Sequence, residues 1–182
     1  HPSSVGKLDL KAMLMPAKEV IVSEPVYLEK DFSVDDLLLE EINRKILKGS
    51  DKKLEINLRS PLSNRNKTVG GQLAIDIERY LNHGNLKKLP SAAFMDKRGR
   101  SYLDYRSIKV NTNGSAGQSF GAFCNDGMTL NHIGTCNDGV GKGASGGEII
   151  IRSPGGAKSR ENVLIGNFAL FGATGGRTFV EG

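Results

Sequence analysis

The stretch Asn137–Pro154 reads NDGVGKGASGGEIIIRSP. Within it, Gly141-Lys-Gly-Ala-Ser-Gly146 spells G-x-G-x-x-G, the spelling of a dinucleotide-binding loop. Such a loop follows a strand and opens a helix, because the helix N-terminus holds the pyrophosphate. Here the motif runs instead into Gly147-Glu-Ile-Ile-Ile151, whose β-branched residues predict a strand. The P-loop pattern fails too. Gly141-Lys142 is followed by Gly143 in place of Ser or Thr, and Cys136 stands where the first glycine is required. These glycines are expected to be corners between strands.

The surrounding sequence repeats. Short β-prone segments begin at Ile108 (IKVN), Met128 (MTLN), Ile149 (IIIR) and Thr178 (TFVE), at intervals of 20, 21 and 29 residues. The longest interval holds the loop SPGGAKSREN. The third residue of each segment is apolar (Val110, Leu130, Ile151, Val180) and the fourth polar (Asn111, Asn131, Arg152, Glu181). Gly143-Ala-Ser-Gly-Gly147 matches Gly172-Ala-Thr-Gly-Gly176 at a 29-residue offset, and Phe120-Gly-Ala-Phe123 is a looser version. Strands and Gly-rich corners at a ~20-residue period, with no helices between, predict a mainly β fold: a single-stranded parallel β-helix, or solenoid. The expected corners are Gly114, Gly117, Gly121, Gly141, Gly143, Gly146, Gly147, Gly166, Gly172, Gly175 and Gly176. Asn111 and Asn131 share a strand offset that would suit a hydrogen-bonded ladder. His132 is expected on the surface of a rung.

The first part of the chain differs in composition. Six glycines fall in residues 1–107 and seventeen in 108–182. Ser33-Val-Asp-Asp36 resembles a capping-box start, Leu38, Leu39, Ile42, Ile46 and Leu47 follow at helical spacing, and Gly49 sits where a C-cap belongs. A second helix is expected from about Val69 to Leu81, with Leu73, Ile77, Tyr80 and Leu81 on one stripe. Met13–Val26, interrupted by Pro16 and Pro25, reads as an extended strap, and Leu89–Asp104 as a polar, turn-rich connection. The expected division is a strap and helix over 1–50, then the β domain over 51–182 with a helical insertion at about 69–82.

Composition excludes several function classes. The formal charge of +5 divides into +4 for residues 1–107 and +1 for 108–182, and no basic run is interleaved with aromatics, so a nucleic-acid face is not expected. Cys124 and Cys136 form no C-x-x-C pair and the three histidines are scattered, so neither a metal site nor a cofactor site is expected. Two buried thiols are the simpler reading, with a disulfide left open. No apolar run approaches the roughly 18 residues of a membrane span, and HPSSVGKLDL lacks the layout of a signal peptide. The chain reads as a piece of something longer.

Four segments carry a resemblance: Asn64–Gly70 (NRNKTVG), Gly114–Phe123 (GSAGQSFGAF), Asn137–Gly147 (NDGVGKGASGG) and Ile165–Gly176 (IGNFALFGATGG). In order and spacing they resemble the C-terminal domain of the glutamate synthase large (α) subunit, the right-handed β-helix region named for its G-x-G-x-G motifs. Lys7–Leu10 (KLDL) is similar to the segment leading in from the synthase domain. The chain departs from the family pattern at Lys67 (usually Arg), Gly139 (usually aromatic) and Ala144 (usually Leu), and stops at Gly182, where family members continue for further rungs.

The resemblance implies a parent enzyme that converts L-glutamine and 2-oxoglutarate into two L-glutamates. That parent would use FMN, an iron–sulfur cluster, and NAD(P)H through a small subunit or ferredoxin as electron donor, in the cytoplasm or a plastid. It implies no catalytic residue and no cofactor in this segment, which would hold other domains of the same long chain in position. Arg65, Lys67 and Lys142 are candidate interdomain contacts. For Lys142 the alternatives are an anion, a neighbouring domain's carboxylate or plain solvation. Two other readings compete: a structural β-helix subunit of a formylmethanofuran dehydrogenase-like complex, and a carbohydrate-active β-helix, which needs acidic or basic residues gathered on one rung face. An uncovered final strand at Thr178–Val180 would favour end-to-end self-association.

Overall fold

The computed structural model describes residue 6 and residues 9–16, 31–155 and 161–181. The chain divides into two compact units, His1–Lys30 and Asp31–Gly182. In the first, the described residues hold one short helix, α1 (Lys11–Leu14), opened by Asp9, whose Oδ1 accepts the Lys11 N–H at 2.9 Å. Met15 leaves the helix at ψ 132°, as the residue before Pro16 must. The extended strap expected over Met13–Val26 is therefore helical at Met13 and Leu14, and 17–30 lies outside the described residues.

In the second unit, α2 (Ser33–Ile42) passes into a wide π-type turn at Asn43–Leu47. Leu38, Ile42, Ile46 and Leu47 are buried, as their spacing predicts. The capping acceptor is Asp31, whose Oδ1 takes the Ser33 N–H at 2.9 Å, and not Ser33 itself. The second helix, α3 (Gly71–His83), starts two residues later than expected because Gly70 stands at φ +86°. A Cβ there would meet Leu130 Cδ1 at 2.7 Å. No side chain of α3 caps its own N-terminus. The carboxylate of Asp35 on α2 does so, accepting Gly70 N–H at 2.8 Å and Leu73 N–H at 3.0 Å.

The main sheet is parallel throughout. Strands β1 (Leu54–Asn57), β4 (Ile108–Ala116), β5 (Met128–Cys136), β6 (Ser145–Arg152) and β7 (Gly175–Glu181) pair in that order. The sequence signals did not mark β1. A hairpin of β2 (Ala93–Met95) and β3 (Ser101–Leu103) occupies the expected connection, closed by Asp96, whose Oδ1 accepts the N–H groups of Arg98 and Arg100. β6 and β7 each start earlier than the apolar runs that marked them, so Gly146, Gly147, Gly175 and Gly176 lie inside strands, as does Gly114 in β4.

The register corrects one alignment. Val110 pairs with Leu130 as the repeat suggests, but Leu130 pairs with Ile149 and His132 with Ile151. A shift of two residues preserves which side chains face inward, so apolar periodicity cannot detect it. The polar column therefore runs Asn57, Asn111, Asn131 and then Ile150. Its asparagines form a ladder: Asn131 Nδ2 donates to Asn111 Oδ1 at 3.0 Å, and Asn111 Nδ2 to Asn57 Oδ1 at 2.8 Å.

His132 is not on the surface; its exposure is 0%. Nδ1 lies 2.9 Å from Thr112 Oγ1, while Nε2 lies 3.2 Å from Gly114 O and 3.1 Å from Thr135 O. Two carbonyls at Nε2 place the proton there and leave Nδ1 to accept from the hydroxyl, so a neutral imidazole satisfies every partner. Burial holds the His132 pKa below the usual 6.5 against the pull of the two carbonyls. The sign follows from proton counting. As pH falls through 6.5 the unfolded chain takes up a proton that the folded chain refuses, so stability drops, by at most about 1.4 kcal/mol per pH unit from this residue. Denaturant melts from pH 7.5 to 5.5 should show that loss, and His132→Gln should flatten it.

Candidate functional site

After β4, after β5 and before β7 the chain makes turns with one backbone conformation. Residues with positive φ alternate in each: Ser119, Gly121 and Phe123 (+63°, +69°, +58°), Gly139, Gly141 and Gly143 (+77°, +65°, +66°), and Phe168, Leu170 and Gly172 (+40°, +59°, +69°). The turns lie one on another. Gly141 N–H donates to Phe120 O at 2.9 Å and Phe123 N–H to Lys142 O at 2.8 Å. On the other side, Gly143 N–H donates to Phe171 O at 2.9 Å and Leu170 N–H to Val140 O at 2.7 Å. Thr68 and Gly70, also at positive φ, begin the stack below, with Gly121 N–H on Val69 O at 2.8 Å.

The middle turn is all glycine at its left-handed positions because both neighbours fill the space a Cβ would need. A Cβ on Gly143 would meet the Phe123 ring at 2.9 Å, one on Gly139 the Phe168 ring at 2.8 Å, and one on Gly141 Leu170 Cδ2 at 2.8 Å. The governing spelling is therefore Gly139-x-Gly141-x-Gly143, two residues upstream of the dinucleotide-like match. The N–H groups of Gly139 and of residues 141–146 all donate to backbone carbonyls, leaving none of these seven for a phosphate.

The ionisable groups beside the sheet are engaged in structural contacts. Glu148, 3% exposed, receives Arg106 Nε at 2.7 Å, Arg177 Nη2 at 3.0 Å and the Tyr105 hydroxyl at 3.0 Å. Both guanidinium groups lie on the Tyr105 ring, 4.9 and 5.0 Å from its centroid. Burial opposes ionisation of Glu148, but these partners outweigh it and hold the carboxyl below the usual range. Arg100 bridges Glu78 and Asp126, each at 3.1 Å. Asp138 Oδ1 accepts Asn167 N–H at 2.7 Å. No motif in the sequence marks the Glu148 cluster, although the 29-residue repeat does place Arg177 opposite Glu148. Cys124 and Cys136 are free and buried, and burial pushes both thiols up to about 12.

Arg65, Lys67 and Lys142 are exposed. They are not brought together: the turn that contains Gln118 and Phe123 lies between the layer of Lys67 and that of Lys142. Of the expected corners, Gly121, Gly141, Gly143 and Gly172 lie in the stacked turns; Gly117 begins the first, against Asn66 O, and Gly166 lies against Asp138. Among the described residues no group of three or more His, Cys, Asp or Glu could hold a metal ion, and no helix is long and apolar enough to cross a membrane.

The middle of the three layered turns is spelled G-x-G-x-G, and the GXGXG motif family model matches residues 35–182. The chain belongs to that family. Its relatives are glutamate synthases. It is 36% identical over 182 residues to the NADH glutamate synthase of Schizosaccharomyces pombe, covering 96% of this chain and 8% of the relative. It is 39% identical over 134 residues to the NADPH glutamate synthase large chain of Bacillus subtilis (72% of this chain, 9% of the relative). It is 40% identical over 130 residues to the ferredoxin-dependent glutamate synthase of Pyropia yezoensis (70% and 7%). The chain thus spans less than a tenth of the length of these relatives.

Proposed function

We propose that this chain is the non-catalytic scaffold domain of a glutamate synthase, a right-handed β-helix that holds the amidotransferase and FMN/iron–sulfur synthase domains of a longer cytoplasmic chain in position. The observation that carries the reading is the stacked G-x-G-x-G turn. Its amide groups are spent on hydrogen bonds within the turn and between layers, and the carboxylates nearby are spent on ion pairs and caps. A site for acid–base chemistry needs such groups unoccupied and converging. This also weighs against a carbohydrate-active β-helix. The parent's conversion of L-glutamine and 2-oxoglutarate to two L-glutamates, its cofactors and its electron donor, NAD(P)H through a small subunit or ferredoxin, belong to the same proposal. So do the division at residue 50 and the interdomain roles of Arg65, Lys67 and Lys142.

The test is direct. The isolated chain should release no ammonia from glutamine and should show no change in melting temperature with FMN or NAD(P)H. Turnover, or a saturable shift with either cofactor, would overturn the scaffold reading.

A second expectation concerns the last layer, where Val163, Phe168, Phe171 and Phe179 are exposed at 84, 54, 66 and 53%. Apolar area of this kind beside a strand edge favours association. The isolated chain should dimerise end to end, so light scattering across a hundredfold concentration range should show a rising mass. A constant monomer mass would exclude the contact.

A further inference from the structure

The formal charge of the chain is concentrated in one place. Residues 79–106 hold seven of the 25 Lys and Arg and two of the 20 Asp and Glu, which leaves eighteen of each elsewhere and puts the whole +5 in this segment. The segment runs from the end of α3 through a loop into the β2–β3 hairpin. Side chains tie its two ends together: Asn82 Oδ1 on α3 accepts Ser101 N–H at 2.7 Å, and Asn82 Nδ2 donates to Ser101 O at 2.9 Å. Arg100 is held by Glu78 and Asp126, and Arg106 by Glu148. Lys87, Lys88, Lys97 and Arg98 are exposed and have no ion pair among the described residues.

Between these two pairs of cations the chain runs as an open strand edge. β2 pairs with β3 alone, and β3 is the strand bound to α3. Ala92 O accepts Asp104 N–H, and Asp96 N–H donates to Arg100 O. The alternation of an antiparallel pair therefore turns the N–H and C=O of Met95 away from β3, where no strand meets them among the described residues. Phe94 and Met95 are 50 and 59% exposed, one on each face of β2. An open apolar edge is a template for another strand, and cations beside it repel a second copy of the same edge. They attract a strand of opposite charge. We infer that the outer edge of β2 receives an extended acidic segment of a polypeptide outside this chain. The segment's backbone pairs with Met95, its apolar side chains lie on Phe94 and Met95, and its carboxylates meet Lys87, Lys88, Lys97 and Arg98. Main-chain pairing supplies the affinity and the charges select the partner. A nucleic acid matches the charge but has no peptide groups for the Met95 edge.

The test titrates the chain against a fluorescent heptapeptide, acetyl-Glu-Ile-Glu-Val-Asp-Ile-Glu-amide, and reads anisotropy. Three probes are compared with it: the same peptide with lysine at the acidic positions, the acidic peptide with its amides N-methylated, and a short oligothymidylate. Saturable binding of the acidic peptide is expected, at least about tenfold tighter than that of the other three. Raising the salt from about 50 to about 300 mM should weaken it at least about fivefold. The double variant Lys97→Ala, Arg98→Ala should keep the melting temperature, since both side chains are exposed, and should lose at least about tenfold in affinity. In the isotope-labelled chain the amide shifts should centre on Phe94 and Met95. No saturation up to about 1 mM, equal binding of the lysine or N-methylated peptide, or unchanged binding by the double variant would each overturn the site, leaving an edge guarded by its charge alone. Tighter binding of the oligothymidylate would overturn it in favour of a nucleic acid.

Discussion

Gly141→Val is expected to lower the free energy of unfolding by about 3–5 kcal/mol, a fall of roughly 6–20 °C in melting temperature. Two costs add. Gly141 stands at φ +65°, a conformation that strains a β-branched residue. Its Cβ would also approach Leu170 Cδ2 at 2.8 Å and Ile149 Cδ1 at 3.1 Å, so two layers must move to admit it. Gly146→Val and Gly175→Val should each cost more than about 1 kcal/mol, since their Cβ atoms would land on Asp126 and on the Ser145 carbonyl. The control lies one residue away: the Lys142 side chain is exposed, and Lys142→Ala should stay within about 0.5 kcal/mol. Denaturant melts measure all four. A Gly141→Val protein as stable as the parent would show that the stacked turn is not a constrained element.

Asp35→Ala should cost about 2–4 kcal/mol, because the carboxylate is the acceptor for Gly70 N–H and Leu73 N–H at a buried helix start. Asp35→Asn keeps the shape and one acceptor oxygen, so it should cost less. Burial raises the Asp35 pKa above 3.8 even though the amides of Gly70, Leu73 and Gln72 pull it down. The folded chain therefore holds the proton to higher pH than the unfolded chain. The stability contributed by this pKa difference, as distinct from the cap's hydrogen bonds, is complete below pH 3.8 and is lost as pH rises through the folded pKa. Hydrogen exchange checks the local part: protection at amides 70–74 should fall in Asp35→Ala further than protection in β5. Uniform loss across the chain, or none, would show that Asp35 does not cap α3.

The sequence alone marked four of the five parallel strands and both longer helices, while five of the expected corners, Gly114, Gly146, Gly147, Gly175 and Gly176, lie inside strands. The marked elements follow from local rules: β-branched runs favour strands over helices, and apolar residues at helical spacing bury one face. The sequence also predicted that the dinucleotide-like spelling runs into a strand where a phosphate loop opens a helix, and β6 (Ser145–Arg152) lies there. The tertiary structure decided what no window of sequence contains. The capping residue of α3 lies 35 residues upstream of Gly70. His132 is interior because its strand position faces Thr112 and Phe120, a placement that local polarity does not reveal. The pairing of Leu130 with Ile149 was invisible because a two-residue slip leaves inward and outward faces unchanged. The reason for Gly139-x-Gly141-x-Gly143 lies in other layers: Phe123 on one side and Phe168 and Leu170 on the other occupy the space of three missing Cβ atoms. A motif can be read from its spelling, but the pressure that keeps its glycines bare comes from side chains that only the stacked fold brings against them.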